Sequence, residues 1–301
     1  MSKAHTQGSQ ATQTPTPRRA RTGKWMLEQI RTHGYARAKL TPSECSQLMH
    51  LLERSQRFFA AGPEHNNKHS NGKLTNGYRP PKSAYNNGDR VNESDTNDSF
   101  LYWNPQLGAE IPENEQISEF LDALETYRSG PACKIMNELM KALADHYGKA
   151  KHPFEAASVL QVNSFGTPTD RKLMQTRHED GVLATVIWAS APGLEVFVDD
   201  KDHAITFEPD EVVVMPGGIL GTMTGGDIKA LYHQARNHGP ESLGRKSIVY
   251  FCCPDIHRGP IEPYIANESN EGVDIRDVIK KSTDMFGLPY NFVETAVTAR
   301  T

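Results

Sequence analysis

The sequence predicts a mixed α+β fold, a sandwich or jelly-roll strand core buttressed by N-terminal helices. Two observations predict it. Up to about residue 154, apolar residues recur at helical spacing. From about 155 to 255 they gather into short β-rich runs separated by Gly, Pro and Asp, and seven such runs at this spacing suggest a sandwich or jelly roll. The chain of 301 residues, 37% hydrophobic and 23% charged, can bury a sizeable core.

The elements follow in order. Residues 1–22 are polar, lack the apolar stretch of a secretory signal, and read as a disordered tail. The PRRAR cluster within it is isolated, and a net charge of −4 gives no wide basic face for nucleic acid. "TPSECSQLMHLLERSQRFFA" is a helix with a cap at Thr41 or Ser43 and Cys45, Leu48, Leu52 and Phe59 on one face. "EQISEFLDALETY" and "GPACKIMNELMKALADHYG" repeat that pattern. Between the first two helices, residues 61–114 are rich in Asn, Gly, Asp and Pro and read as a long loop, a length that is usually functional or disordered. The strand candidates are "SVLQVNSF", "VLATVIWAS", "GLEVFV", "AITFEP", "EVVVMP", "ALYHQA" and "KSIVYFCC". A last helix, "DIRDVIKKSTDMFG", is capped by Asp274 and placed to act as a lid. The expected organisation is one domain over 23–301: a helical part 23–154, a strand core 155–255 and a C-terminal lid segment 256–301. No run nears the ~20 apolar residues of a membrane span. Cys45, Cys133, Cys252 and Cys253 form no CxxC pair, so reduced thiols in the cytoplasm are expected.

"TRHEDGVLATVIWAS" places His178, Glu179 and Asp180 at the mouth of a strand, where a buried charge needs a partner or a metal. A His-x-Asp or His-x-Glu triplet is weak alone, since chance supplies about 1.5 in a chain of this composition. Residues i and i+2 of a strand share a face, so His178 and Asp180 converge while Glu179 faces away toward solvent. The third ligand has three candidates. His203 and His238 sit in apparent turns, and His233 lies in a strand run 53 residues after Asp180. Two imidazoles and a carboxylate on one face make the facial triad of non-haem Fe(II) oxygenases, with positions left for a chelating co-substrate and dioxygen. Twelve residues past His233, Arg245 and Ser247 share a strand face and suit a far carboxylate.

With these residues in order, the chain resembles the isopenicillin N synthase-like branch of the Fe(II)/2-oxoglutarate-dependent oxygenases, on a double-stranded β-helix. "RTHGYARAKLTPSECSQLMHLLERSQRFFA" is similar to that family's first strand, His-Gly turn and long helix; "NGYRPPKSAY" and "DSFLYWNP" look like its substrate-side loops, and "KALYHQA" matches its lysine-to-histidine spacing. Two positions depart from the pattern: Asn163-Ser164-Phe165 stands where many members have Asn-x-Tyr, and Gln234-Ala235 where many have Arg-Val.

The resemblance implies Fe(II) on His178, Asp180 and His233, 2-oxoglutarate against Arg245, Ser247, Asn163 and Phe165, and O2 as the oxidant. It places Tyr78, Arg79, Tyr102 and Trp103 near a small-molecule substrate. Because Asp180 is present, it implies hydroxylation, desaturation or ring formation rather than halogenation, in specialised metabolism. A monomer or weak homo-oligomer without nucleic acid or membrane is expected. Two rival readings are a same-fold oxidase that uses no 2-oxoglutarate and a non-enzymatic jelly-roll binding module.

Overall fold

The computed structural model describes residues 21–70, 76–81, 97–103, 117–166, 169–199, 201–256, 259–268 and 270–279. The expected tail before residue 21 and the lid helix beyond 279 lie outside the described residues. Helix α1 (Gly23–His33) opens the chain, with Thr22 as its cap and Gly34, at φ 82°, closing it in the left-handed region. Strand β1 (Ala36–Lys39) follows, then α2 (Pro42–Ala60). Thr41 and Glu44 make a reciprocal capping box at the start of α2, the cap read from sequence. Helices α4 (Ser118–Tyr127) and α5 (Cys133–Tyr147) are joined by a π-helical turn over Arg128–Ala132.

The 61–114 stretch is not one long loop. It carries the short helix α3 (Pro63–Asn66) and strands β2 (Gly77–Arg79) and β3 (Asp98–Tyr102). The remaining strands are β4 (Val159–Phe165), β5 (Leu173–His178), β6 (Ala184–Ala189), β7 (Leu194–Val198), β8 (Lys201–Ala204), β9 (Glu211–Pro216), β10 (Tyr232–Arg236) and β11 (Arg245–Cys252). The short helix α6 (Gly218–Met223) follows β9. A further helix starts at Ile275, and its first turn is capped by Asp274, whose Oδ1 accepts from Arg276 N.

These strands form two antiparallel sheets, a major one ordered β1-β9-β6-β11-β4-β3-β2 and a minor one ordered β5-β10-β7-β8. The major sheet is covered on both faces. Val162, Val186, Val214, Ile248 and Tyr250 point toward the helices, in one cluster with Leu48, Leu124 and Leu139. Ile187, Val213, Met215 and Val249 point the other way and pack on Leu194 and Val196 of the minor sheet. Burial on both faces is why β6, β9 and β11 read as unbroken apolar runs rather than as alternation. The two sheets facing each other make the jelly-roll core, and the helices buttress it from behind.

Three expectations need correction. His203 does not lie in a turn: it sits in β8, opposite Val196, and the reversal before it is made by Asp199 at φ 49°. "AITFEP" is not a strand beyond Ala204. His178 ends β5, and Asp180 lies in the loop after it, so the two do not share a strand face.

Candidate metal centre

His178 and His233 are directly opposite one another in the β5–β10 pair, at the open end of the sandwich. Each imidazole is oriented by a backbone carbonyl. The Nδ1 of His178 lies 2.7 Å from the Thr176 oxygen, and that of His233 lies 3.2 Å from the Leu231 oxygen. A ring that donates from Nδ1 keeps the Nε2 lone pair for a metal. Both Nε2 atoms turn to the same oxygen: Asp180 Oδ1 is 3.7 Å from His178 Nε2 and 3.8 Å from His233 Nε2.

Asp180 reaches this point through its loop. Its backbone oxygen accepts from Val182 N and Gly218 N, both at 2.8 Å. Its second carboxylate oxygen accepts from Thr185 Oγ1 at 2.5 Å, a partner that sequence reading missed although Thr185 is an inward position of "VLATVIWAS". Burial lowers the basicity of His233, and the Asp180 charge opposes this without overcoming it. The ring is therefore neutral near pH 7 and able to act as a ligand. One ligand atom from each of His178, Asp180 and His233 falls within 4.8 Å of the others. Among the described residues this is the one group of three or more such side chains that could hold a metal ion. His203 and His238 are not part of it.

Glu179 is not solvated surface. It is half-buried, its Oε2 has no hydrogen-bond partner among the described residues, and burial, followed by the neighbouring Asp180, raises its pKa. Its carboxylate lies against Gly218, where an added Cβ would come within 2.4 Å of Oε2. Cys253 is likewise tied to the site: burial, then Asp180, pushes its thiol up to about 12.

A cavity opens beside the three ligand atoms and runs to Arg245 and Ser247. Arg245 is 2% exposed. Its Nε donates to the Ala191 oxygen at 3.2 Å, and among the described residues no carboxylate pairs with it. Burial alone lowers its pKa to about 10. A guanidinium so placed needs an anion from elsewhere. Ser247 faces the same way on β11, and its Oγ accepts from Asn163 Nδ2 at 3.1 Å. Phe165 stands opposite Arg245 in the β4–β11 pair and packs on Met174 and Ala235.

The four residues expected near substrate split between the two faces of the major sheet. Tyr78 and Tyr102 join the helix-side cluster, and the Tyr78 hydroxyl donates to Asp98. Arg79, paired with Ser99, which is itself paired with Asn163, lies on the inner face. Trp103 packs on Leu101, Val159 and Phe251 on that same inner side. Gln234, one of the departures from the family pattern, turns outward and donates to Glu195 at 2.7 Å.

Comparison with known proteins agrees with this geometry. Residues 156–254 match the model of the 2OG-Fe(II) oxygenase superfamily. "Probable flavonol synthase 5" of Arabidopsis thaliana is 30% identical over 119 residues, 38% of this chain and 36% of that protein. The chain thus matches about a third of the length of this curated relative. Among solved structures, a full-length Neurospora crassa protein in complex with alpha-KG (2-oxoglutarate) and 5-formyluracil superimposes with a TM-score of 0.69 at 20% identity, covering 86% of this chain and 89% of that one. Dioxygenase for auxin oxidation 1 of Arabidopsis thaliana, with 2-oxoglutarate, gives 0.59 at 17% identity over 82% and 96%. At these identities the likeness is one of fold. No helix among the described residues is long and apolar enough to cross a membrane.

Proposed function

Starting from a strand core that matches the model of the 2OG-Fe(II) oxygenase superfamily over residues 156–254, we propose that the protein is an Fe(II)- and 2-oxoglutarate-dependent dioxygenase that oxidises a small organic molecule. The observation that carries the reading is Arg245, a buried guanidinium with no carboxylate of its own among the described residues, in one cavity with a His-Asp-His group. The donor set fits the metal, because two imidazoles and a carboxylate are the ligands a non-haem iron site uses. The cation fits the far carboxylate of a dicarboxylate co-substrate.

In this reading His178, Asp180 and His233 hold the iron, with Thr185 and two backbone carbonyls orienting them. Arg245 takes the co-substrate carboxylate, with Ser247 beside it. Phe165 forms the wall behind the guanidinium, and Asn163 holds the Ser247 hydroxyl in place. When bound, iron would activate dioxygen, the oxidant, with 2-oxoglutarate giving up two electrons as it becomes succinate and carbon dioxide and the organic substrate giving up the other two. The protein positions the substrate against them and keeps water out. The apolar part of the cavity, Ile187, Leu194, Met215 and Val249, supplies that dry wall. Arg79 and Trp103 lie on the inner face and form the substrate side of the site. The same proposal reads 23–301 as a single oxygenase domain in a monomer or weak homo-oligomer. It places the protein in the cytoplasm, consistent with four free cysteines, and in specialised metabolism.

The test is anaerobic loading with Fe(II), followed by 2-oxoglutarate, oxygen and pooled metabolites. Succinate formed in step with 2-oxoglutarate loss is expected. Oxygen uptake without succinate would favour the oxidase, with Arg245 holding the substrate's own carboxylate. Failure to bind Fe(II) would leave a binding module.

A further inference from the structure

The direction of one hydrogen bond inside the cavity is decided outside it. Asn97 immediately precedes β3; it is buried and does not itself line the cavity. Its Nδ2 donates to the Asp98 backbone oxygen at 3.2 Å. A backbone carbonyl only accepts, so the Asn97 carboxamide can be turned one way and no other. The remaining hydrogen on Nδ2 goes to Asn163 Oδ1 at 3.0 Å. Asn163 must therefore turn its oxygen toward Asn97, and Gln161 Nε2 donates to that same oxygen at 2.6 Å.

The order then passes to β11. With its oxygen committed, Asn163 directs Nδ2 at Ser247 Oγ, 3.1 Å away. A hydroxyl that accepts keeps its own hydrogen for another acceptor. None among the described residues takes it, and Ser247 lines the cavity with Arg245, two positions earlier on the same strand face. The reversed arrangement has a different outcome. Asn163 would then offer Ser247 an oxygen, the hydroxyl would donate to it, and only lone pairs would face the cavity.

We propose that Asn97 is a positioning residue for the dicarboxylate co-substrate: from outside the cavity it fixes Asn163, and through Asn163 it frees the Ser247 hydrogen for an anion beside Arg245. The proposal rests on the oxygenase reading above. With Asn97 in place, the far carboxylate meets a guanidinium and a hydroxyl that both donate. Without it, the reversed arrangement is the better satisfied one in the ligand-free protein, because it gives the Ser247 hydrogen an acceptor. Binding would then have to undo that bond. Gln161 reinforces the native order but does not set it. Among the described residues no backbone carbonyl pins its Nε2, so its carboxamide can turn with Asn163. The glutamine that lines the cavity therefore matters less to the co-substrate than the asparagine behind it.

The experiment titrates 2-oxoglutarate anaerobically into the full chain loaded with Fe(II), Fe(II) affinity being measured first. Asn97→Ala is expected to weaken 2-oxoglutarate several-fold. The isosteric Asn97→Asp, whose carboxylate can only accept from Asn163, is expected to weaken it by about tenfold or more. Gln161→Met is expected to stay within about twofold of the unmodified protein. Ser247→Ala alone is expected to lose about tenfold, and adding Asn97→Ala to it to cost nothing further, because the effect travels through that hydroxyl. A merely structural role would weaken binding in both backgrounds. Retained Fe(II) affinity certifies that a variant is folded. Full 2-oxoglutarate affinity in a folded Asn97 variant, an Asn97→Ala loss that persists beside Ser247→Ala, or no loss from Ser247→Ala itself overturns the proposal. So does a Gln161→Met loss as large as that of Asn97→Ala, or lost Fe(II) binding in both Asn97 variants. Absence of 2-oxoglutarate binding in the unmodified protein overturns the oxygenase reading instead, and is seen before any variant is made.

Discussion

Arg245 and Phe165 stand directly opposite one another across β4 and β11, with the guanidinium carbon 5.0 Å from the ring centroid. The ring face is an electron-rich surface beside a buried cation that lacks a carboxylate among the described residues, and a cation–π contact of this kind contributes about 0.5–2 kcal/mol. Phe165→Leu keeps an apolar filler but removes that face. It is expected to cost about 1–2 kcal/mol of stability and to weaken 2-oxoglutarate several-fold. Denaturant unfolding and calorimetry check the two effects; lost stability with unchanged co-substrate affinity would reduce the ring to packing.

Replacing the cation itself separates binding from stability. Arg245→Met removes a buried charge without an acid partner, so the ligand-free protein is expected to gain about 1–3 kcal/mol. Co-substrate binding is expected to fall by about 2–4 kcal/mol through the lost charge-assisted contact. Melting curves with and without 2-oxoglutarate read both signs, and a destabilised ligand-free variant would contradict the account.

Thr185→Val is nearly isosteric and deletes the 2.5 Å bond to Asp180 Oδ2. Partners of metal ligands typically contribute about 10–100-fold in affinity. Fe(II) binding should weaken by such a factor in an anaerobic competition titration, and Thr185→Ser should restore most of it. Unaltered Fe(II) affinity in the valine variant would mean the loop alone positions the carboxylate.

Acidification reports on His233. Its folded pKa is depressed by burial, so the unfolded chain takes up this proton first as pH falls. Stability contributed by the neutral ring is full above the unfolded value of about 6.5 and is lost between there and the lower folded pKa. Metal-free protein should lose melting temperature on acidification in this window more steeply than His233→Gln does. Identical slopes would show that the ring does not titrate there.

Tyr78 provides the contrast. Its hydroxyl donates to Asp98 on the helix side of the sheet. Tyr78→Phe should lower stability by about 1–3 kcal/mol while leaving 2-oxoglutarate affinity alone. A selective change in affinity would place the side chain in the cavity.

The central strands were legible because β6, β9 and β11 are buried on both faces and their apolar runs admit no other reading. His178, Asp180 and His233 could be picked out by spacing, and the structure brings them together, but by another route than a shared strand face: Asp180 is carried by a loop fastened to Val182 and Gly218. Strands β2 and β3 were not legible, since short pieces between polar stretches show no period. Helix α1 was missed for a related reason, its start being continuous with a polar tail. Glu179 was misread because its burial depends on α6, nearly forty residues later.

The two histidines belong to the minor sheet, and the aspartate that faces them is fastened to Thr185 in the major one. An ion held by all three therefore acts as a rivet across the seam of the sandwich, at the end where the cavity opens. Pulling the sheets apart there and releasing the ion become one equilibrium, so metal at a hundred times its dissociation constant adds about 2.7 kcal/mol against opening. Under the function proposed above, iron supply then governs more than turnover. A cell short of iron would hold this protein with a loosened rim, and proteases and amide exchange would find that rim before any other part of the strand core.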